Sequence, residues 1–189
     1  MGLKMKINDY IKVYDNAISD EMCDRALDFY NFNPNLHERF DNDKKPNFTQ
    51  VNFTKNRNLD FELHDYFVSK AQEYILEYRS KLYDTQLFPE KYGFEEFRIK
   101  HYMNNGVDQF DTHADSADHL SSKRFLAFFW YLNDVDLGGD TIFMNTGFNT
   151  RPQKGKLVIF PPFWMFPHKG APPISGEKFL MSSYLNYIP

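Results

Sequence analysis

The sequence predicts an α+β fold in which a sandwich or jelly roll of short strands carries helices packed on one side. Two observations lead to this prediction. Hydrophobic residues recur at helical spacing in the first half of the chain, and from Phe94 onward they alternate as in strands. Turn-forming residues separate the short strands, at Asn104-Asn105-Gly106, Gly138-Gly139, Arg151-Pro152 and Ser175-Gly176. We expect one domain over residues 1–189, mainly helical to about residue 93 and a strand core over about 94–189.

Two helices are predicted in the first half, after a short strand at residues 9–15. Ser19 is a suitable N-cap for the first helix, which spans about residues 20–30. The second helix spans about residues 60–82. Its apolar residues recur at steps of three and four along one face, at Leu63, Phe67, Ala71, Tyr74, Ile75, Tyr78 and Leu82.

Residues 41–58 between these helices are polar and rich in asparagine, with room for a strand at Phe48–Phe53. A loop of this length is uncommon in a compact domain, and such loops are often functional. Two interpretations stand side by side: a lid over an active site, or a surface excursion.

The second half contains the predicted strands. Phe97, Ile99, His101 and Met103 alternate with polar residues, whereas Arg124–Leu132 is apolar on both faces, as in a strand inside a sandwich. Shorter strands are predicted at Asp140–Met144, Gly155–Phe160 and Lys178–Tyr187.

Composition limits the possible functions. The formal net charge is −4 and no cluster of Lys or Arg stands out, which disfavours a nucleic-acid partner. No apolar stretch approaches the length of a membrane span, and no signal peptide is recognisable. Cys23 is the single cysteine, so no intrachain disulfide can form. Together these features predict a cytoplasmic protein without a membrane partner.

The strongest chemical signal is His113-Ala114-Asp115. On a strand, residues i and i+2 point to the same face, so an imidazole and a carboxylate lie side by side. A second histidine from a distant strand would complete the two-histidine, one-carboxylate set of non-haem Fe(II) oxygenases. Alone, a His-x-Asp triplet occurs by chance, and its ordinary interpretation is a solvated loop.

The surrounding motifs strengthen the signal. They are Tyr131-Leu132-Asn133-Asp134-Val135, Gly138-Gly139-Asp140-Thr141-Ile142-Phe143, Pro152-Gln153-Lys154-Gly155-Lys156-Leu157-Val158-Ile159-Phe160, His168, and Pro173-Ile174-Ser175-Gly176-Glu177-Lys178. In order and local spacing, from about Tyr102 to Tyr184, this series resembles the prolyl 4-hydroxylase-type branch of the Fe(II)/2-oxoglutarate dioxygenases. The resemblance implies a double-stranded β-helix, or jelly-roll, core with the N-terminal helices packed on one sheet.

The resemblance also implies roles for individual residues. His113, Asp115 and His168 would be the catalytic iron ligands, and Lys178 would pair with the remote carboxylate of 2-oxoglutarate. Tyr102 and Tyr131 would hydrogen-bond this co-substrate. Simple alternation puts Tyr102 on the same side as Arg98 and Lys100, opposite Phe97 and Ile99, so a bulge near Asn104-Asn105-Gly106 would be needed to re-aim it. Phe179 stands where the family often has tryptophan.

The activity implied is hydroxylation of a prolyl residue in a peptide or protein. It would consume 2-oxoglutarate and O2, release succinate and CO2, and use Fe(II), with ascorbate as a further candidate cofactor. Alternatives remain open: the same chemistry on a free amino acid, another protein side chain or a nucleobase, or an inactive jelly-roll binding module.

Other candidates have plainer interpretations. His119 is expected in the loop after the His-x-Asp triplet, His64 on a helix surface, and Cys23 in the core. The aromatic run Phe163-Trp164-Met165-Phe166 is expected in the core or a strand, or alternatively in the wall of a substrate cleft.

Overall fold

The computed structural model describes residues 5–41, 46–82 and 85–189. Two long helices occur in this part of the chain, α1 (Asp20–Phe32) and α2 (Phe61–Ser80). Short 3-10 turns cover Ile7–Tyr10, Pro34–Leu36, Arg57–Leu59 and Thr85–Leu87. The strands are β1 (Lys12–Tyr14), β2 (Glu38–Phe40), β3 (Phe48–Asn52), β4 (Tyr92–Phe94), β5 (Arg98–Tyr102), β6 (Phe110–His113), β7 (Arg124–Tyr131), β8 (Thr141–Phe143), β9 (Phe148–Thr150), β10 (Leu157–Phe160), β11 (His168–Gly170) and β12 (Lys178–Tyr187).

The strands form two antiparallel sheets. The large sheet has the order β1-β10-β7-β12-β5-β3-β2, with β4 also paired to β12. The small sheet has the order β6-β11-β8-β9. The α+β fold with a jelly-roll core is therefore confirmed.

Both helices pack on the outer face of the large sheet, as predicted. Their apolar stripes join the alternate strand residues Val51, Ile99, Trp130 and Met181 in one core. Ser19 caps α1 as expected, because its Oγ accepts a hydrogen bond from the Met22 N–H at 3.4 Å. Cys23 is fully buried, which confirms its place in this core.

The inner face of the large sheet looks toward the small sheet. Phe129, Phe160 and Leu180 lie on this face with Tyr102 and form a second, smaller core with Phe143 of β8. Lys100 lies on the same face, because it is two residues from Tyr102 on β5. No bulge is needed to aim Tyr102 inward. The side of β5 that carries Lys100 and Tyr102 is the side that lines a cavity.

The strand that the sequence allowed at Phe48–Phe53, within the predicted loop over residues 41–58, is present. Residues 48–52 form β3, which pairs with β5 on one side and β2 on the other. Val51 and Phe53 are fully buried, so burial of side chains holds this segment in the domain. Residues 42–45 lie outside the described residues.

The aromatic run 163–166 is divided between two environments. Phe163 packs against the helix-side core and Phe166 lies in the inner core, whereas Trp164 is 77% exposed. The run is not a strand. Among the described residues, no helix combines the length and apolarity that crossing a membrane requires.

Candidate metal centre and co-substrate cavity

Strand pairing in the small sheet brings the two predicted histidines together. His113 is the last residue of β6 and His168 the first of β11, and the two are direct cross-strand partners. Their ring centroids are 4.3 Å apart. Asp115 lies in a bend two residues after the end of β6, so the predicted strand geometry holds for His113 but not for Asp115.

One ligand atom from each of His113, Asp115 and His168 can be chosen so that all lie within 4.8 Å of one another. The Nε2 of His113 is 3.4 Å from Oδ1 of Asp115, and the Nε2 of His168 is 3.5 Å from Oδ2. A metal ion can therefore be reached by all three side chains.

The backbone fixes both imidazole rings in the orientation that a metal needs. Nδ1 of His113 is 2.7 Å from the Asp111 carbonyl oxygen, and Nδ1 of His168 is 3.0 Å from the Phe166 carbonyl oxygen. A carbonyl oxygen can only accept, so each Nδ1 must carry the hydrogen. The lone pair of each neutral ring is then on Nε2, which faces Asp115.

Electrostatics favour the ligand forms of these groups. Burial alone would raise the pKa of the Asp115 carboxyl, but His168 and His113 outweigh it, so this pKa lies below its usual range. Burial lowers the pKa of His168 more than Asp115 raises it. The site thus holds an ionised carboxylate beside a neutral imidazole, the forms that bind metals.

A further layer of side chains positions Asp115. The Tyr184 hydroxyl donates a hydrogen bond to its Oδ1 at 2.8 Å. Arg124 donates to the Asp115 carbonyl oxygen at 2.9 Å, packs over the Tyr184 ring, and pairs with Glu95. Sequence reasoning did not assign these residues, since nothing in the spacing of Glu95, Arg124 and Tyr184 shows that they meet.

Lys178 lies in the same inner cavity as the metal centre. Its side chain is 1% exposed, and its Nζ donates to the Gly139 carbonyl oxygen at 3.1 Å and lies 4.3 Å from the centre of the Tyr102 ring. It pairs with no carboxylate among the described residues. Burial lowers its pKa to about 7, with attraction to Asp140 opposing the shift. A buried ammonium group without a counter-ion is costly unless a ligand supplies the negative charge.

The glycine pair in the sequence motif now has a structural reason. A Cβ on Gly139 would lie 3.4 Å from Cδ of Lys178, and the residue has a positive φ of 73°. Gly138 also has a positive φ, and a Cβ there would be 2.5 Å from the Pro172 carbonyl oxygen. These glycines let the chain turn tightly around the lysine.

The two predicted tyrosines have different positions. Tyr102 lines the inner cavity beside Lys178, and its hydrogen bond to the co-substrate stays a prediction. Tyr131 does not line it: the residue is fully buried, and its hydroxyl is 2.7 Å from Oγ1 of Thr141 and donates to the Thr150 carbonyl oxygen. Thr141, rather than Tyr131, reaches the cavity. A direct contact of Tyr131 with a co-substrate is therefore not what the structure shows.

Other histidines lie apart from the metal centre. His119 is exposed in the loop after Asp115, and His64 bonds Thr54 at 3.0 Å while its ring packs against Phe53. Within the described residues, only His113, Asp115 and His168 form a cluster able to hold a metal ion. Two imidazoles and one carboxylate leave coordination positions open, which fits a non-haem Fe(II).

Comparison with known proteins agrees with this site. The profile of the 2OG-Fe(II) oxygenase superfamily matches residues 97–186, which include all three cluster residues and Lys178. The probable prolyl 4-hydroxylase 7 of Arabidopsis thaliana is 24% identical over 205 residues, which cover 92% of this chain and 61% of that protein. The chain therefore spans less than two thirds of the length of this relative.

Two solved structures share the fold. The viral collagen prolyl hydroxylase of Paramecium Bursaria Chlorella virus-1, in its 2OG complex, superposes with a TM-score of 0.75 at 22% identity, over 95% of this chain and 97% of that one. A Trichoplax adhaerens prolyl hydroxylase in complex with a hypoxia inducible factor peptide fragment has a TM-score of 0.75 at 13% identity, over 94% and 84% of the two chains.

In its fold, its three-residue cluster and its profile match, the chain is similar to the Fe(II)/2-oxoglutarate oxygenases. The relatives and solved structures that the chain resembles are prolyl hydroxylases, in agreement with the resemblance of its motifs to the prolyl 4-hydroxylase branch.

Proposed function

We propose that this protein hydroxylates a prolyl residue of a peptide or protein, consuming 2-oxoglutarate and O2 and releasing succinate and CO2. One observation carries the proposal: a two-histidine, one-carboxylate cluster and a buried lysine without a carboxylate partner face the same cavity. The cluster fits Fe(II), and the lysine fits the far carboxylate of a small dicarboxylate such as 2-oxoglutarate.

The roles of the residues follow from their positions. His113, Asp115 and His168 hold the metal through Nε2, carboxylate oxygen and Nε2. Lys178 pairs with the remote carboxylate of 2-oxoglutarate, and the Tyr102 ring packs against that lysine. Bound Fe(II) supplies the activation of O2 that oxidises both the co-substrate and a C–H bond.

Apolar side chains form much of the remaining wall of the inner cavity. They are Phe110, Phe129, Phe160 and Leu180, and Thr141, Ser182 and Tyr184 add polar groups. A dry cavity protects a reactive oxidant from side reactions and strengthens the pairing of Lys178 with an anion. Ascorbate is proposed only as a reductant that keeps the metal in the Fe(II) state.

An outer groove leads from the solvent to the same metal centre. Phe40 and Phe48 of the β2–β3 hairpin form one side, and Arg124 and Tyr184 lie on the other, with His113 and Asp115 between them. The groove has a volume of ≈ 430 Å³. An extended prolyl segment suits such a groove, since a pre-extended chain loses little conformational entropy on binding. Phe48 and Gln50 belong to the segment 41–58 that the sequence suggested as a lid, and in this proposal they lie beside the substrate.

The test is direct. The protein is incubated with Fe(II), 2-oxoglutarate, ascorbate and O2 in the presence of proline-containing peptides, and both succinate and peptide mass are measured. We expect succinate to increase with peptide, and the peptide to gain one oxygen atom on proline. If no succinate forms under any condition, the oxygenase proposal is wrong. If a free amino acid or nucleobase is oxidised and no proline peptide is, the substrate proposal is wrong.

A further inference from the structure

The outer groove contains a cation that neither the metal nor 2-oxoglutarate explains. Three basic residues line the groove, Arg98, Lys100 and Arg124. Arg98 pairs with Glu96 at 2.9 Å, and Arg124 pairs with Glu95 at 2.6 Å. Lys100 pairs with no carboxylate among the residues that the structure describes. The groove therefore carries one uncompensated positive charge.

The surroundings of Lys100 are aromatic. Its Nζ lies 5.3 Å from the centre of the Phe48 ring and 5.9 Å from that of Phe110. Gln50, its partner on β3, donates its own hydrogen bond to Glu38 instead. Ring faces stabilise a cation only partly, so the ammonium group retains unused capacity to donate hydrogen bonds.

Asp115 does not supply the missing partner. Its oxygens are directed to His113, His168 and the Tyr184 hydroxyl. A metal ion bound there would neutralise the carboxylate and leave the positive charge of Lys100 still less compensated. Burial lowers the pKa of Lys100 to about 8, against the attraction of Asp115, so the group is still largely protonated at neutral pH.

Lys100 stands where the inner cavity meets the outer groove, because it lines both. Lys178 lines only the inner cavity and faces Tyr102, two residues beyond Lys100 along β5. Two residues on a strand span roughly 7 Å. A small dicarboxylate can reach from Lys178 to the metal without contacting Lys100. Lys100 then faces a substrate that enters through the groove.

We propose that Lys100 is a specificity-determining residue that pairs with a carboxylate of the substrate, carried next to the residue that is oxidised. The inference rests on the proposed function and adds the chemical class of substrate. The carboxylate can come from an acidic side chain beside the prolyl residue or from the chain terminus that follows it. Both present the same group to the ammonium.

Four fluorescein-labelled proline peptides distinguish these sources. They have Glu or Gln beside the proline, each with a free or an amidated carboxyl terminus. Binding is measured by fluorescence anisotropy on the protein with Mn(II) and 2-oxoglutarate, so that no turnover is needed. Hydroxylation by the Fe(II) protein is measured in parallel by mass spectrometry.

We expect peptides that place a carboxylate beside the proline to bind about tenfold more tightly than the peptide without one, as for a charge-assisted hydrogen bond. A preference for Glu identifies the side chain as the source, and a preference for the free terminus identifies the chain end. Lys100→Met should abolish the preference, whereas Lys100→Arg should retain most of it. Arg98→Met, which removes a paired cation from the same strand, should also retain it.

Several results would overturn the assignment. Wild-type protein that shows no carboxylate preference contradicts it, as does a Lys100→Met variant that weakens all four peptides equally, the result expected of a merely structural lysine. A variant that loses affinity for 2-oxoglutarate but keeps the peptide preference shows that Lys100 serves the co-substrate instead. Absence of succinate with an intact, Lys100-dependent preference rejects the proposed activity and leaves the carboxylate site standing.

Discussion

Lys178 is the residue that gains most from a bound ligand, because a ligand can supply the negative charge that its surroundings lack. Lys178 is 1% exposed and has no carboxylate partner among the described residues. A carboxylate of 2-oxoglutarate can neutralise the positive charge of its ammonium group. We therefore predict that Lys178→Ala raises the Kd for 2-oxoglutarate by roughly 30-fold or more, since removing one partner of a buried charge pair costs at least about 2 kcal/mol.

The measurement for Lys178→Ala is a titration of 2-oxoglutarate into protein loaded with Mn(II), with metal affinity determined separately. Metal affinity should change far less than co-substrate affinity, because the lysine contacts no ligand of the cluster. Lys169→Ala is the matched control, since Lys169 neighbours His168 on β11 and does not line the cavity. Equal affinity for 2-oxoglutarate in the variant and the wild type would rule out the anchor role.

Tyr184 acts at the residue scale by positioning Asp115. Its hydroxyl donates to the carboxylate oxygen at 2.8 Å. We predict that Tyr184→Phe lowers metal affinity by about tenfold, because groups that orient metal ligands typically contribute that much or more. Tyr187→Phe on the same strand removes a hydroxyl from a side chain that is more than half exposed, and it should leave metal affinity unchanged.

Competition with a fluorescent chelator measures the affinity of both tyrosine variants. The melting temperature of the metal-free proteins shows whether Tyr184→Phe acts through the fold instead. A variant that binds metal as tightly as the wild type would show that the hydrogen bond does not position Asp115.

At the scale of elements, the pairing of β6 with β11 forms the metal centre. His113 and His168 face one another only in the observed register, because a slip of one residue turns each side chain to the opposite face. The hydrogen bonds of both Nδ1 atoms to carbonyl oxygens two residues earlier depend on the same local backbone. The ligand set is therefore a property of strand pairing rather than of loop conformation.

The segment that follows residue 46 is an element of the sheet. Phe53, just beyond β3, is fully buried and packs against Phe29 of α1 and Phe67 of α2, at ring-centre distances of 4.7 and 6.5 Å. We predict that Phe53→Ala lowers the free energy of unfolding by about 3–5 kcal/mol, the usual cost of emptying an aromatic core position.

Urea denaturation of the Phe53→Ala variant tests this prediction. Phe61→Ala is the matched control, because Phe61 is 63% exposed in the first turn of α2 and should change stability little. If Phe53→Ala were as stable as the control, the segment would be detachable, as a lid would be.

At the scale of the whole molecule, the buried lysine lowers stability near neutral pH. An unfolded lysine has a pKa of about 10.4, whereas burial lowers that of Lys178 to about 7. Between these values the unfolded chain holds a proton that the folded protein has released. The free energy of unfolding therefore rises with pH over this window. Below pH 7 the burial of charged Lys178 lowers that free energy by its full amount.

We predict that Lys178→Met is more stable than the wild type near pH 7 without 2-oxoglutarate, and that the difference shrinks toward about pH 10. Urea denaturation at several pH values measures the free energy of unfolding of both proteins. Taking the difference between them removes the contribution of groups that titrate in both. Lys91→Met, which alters an exposed lysine, should show no such pH-dependent gain. A constant difference between Lys178→Met and wild type across this range would contradict the linkage.

The sequence by itself determined the class of fold and the identity of the cluster residues. Spacing and alternation are local properties, so they predicted that the His113 and Asp115 side chains lie close together and that β7 is buried on both faces, although β6 ends at His113. Ordered motifs pointed to His168 and Lys178, and the structure brings all four residues to one cavity. The helices needed no tertiary information beyond their caps and apolar stripes.

Only the tertiary structure decided which groups become partners. The resemblance implied a co-substrate role for Tyr131, but β8 of the small sheet places Thr141 against its hydroxyl. Asparagine-rich composition suggested a loop for residues 41–58, whereas β5 offered the edge that β3 joins. Alternation placed Lys100 on the side of β5 opposite Ile99, and only the structure shows that this side lines a cavity. Alternation shows which side a residue is on, but the character of that side depends on strands distant in sequence, because pairing and burial are long-range properties.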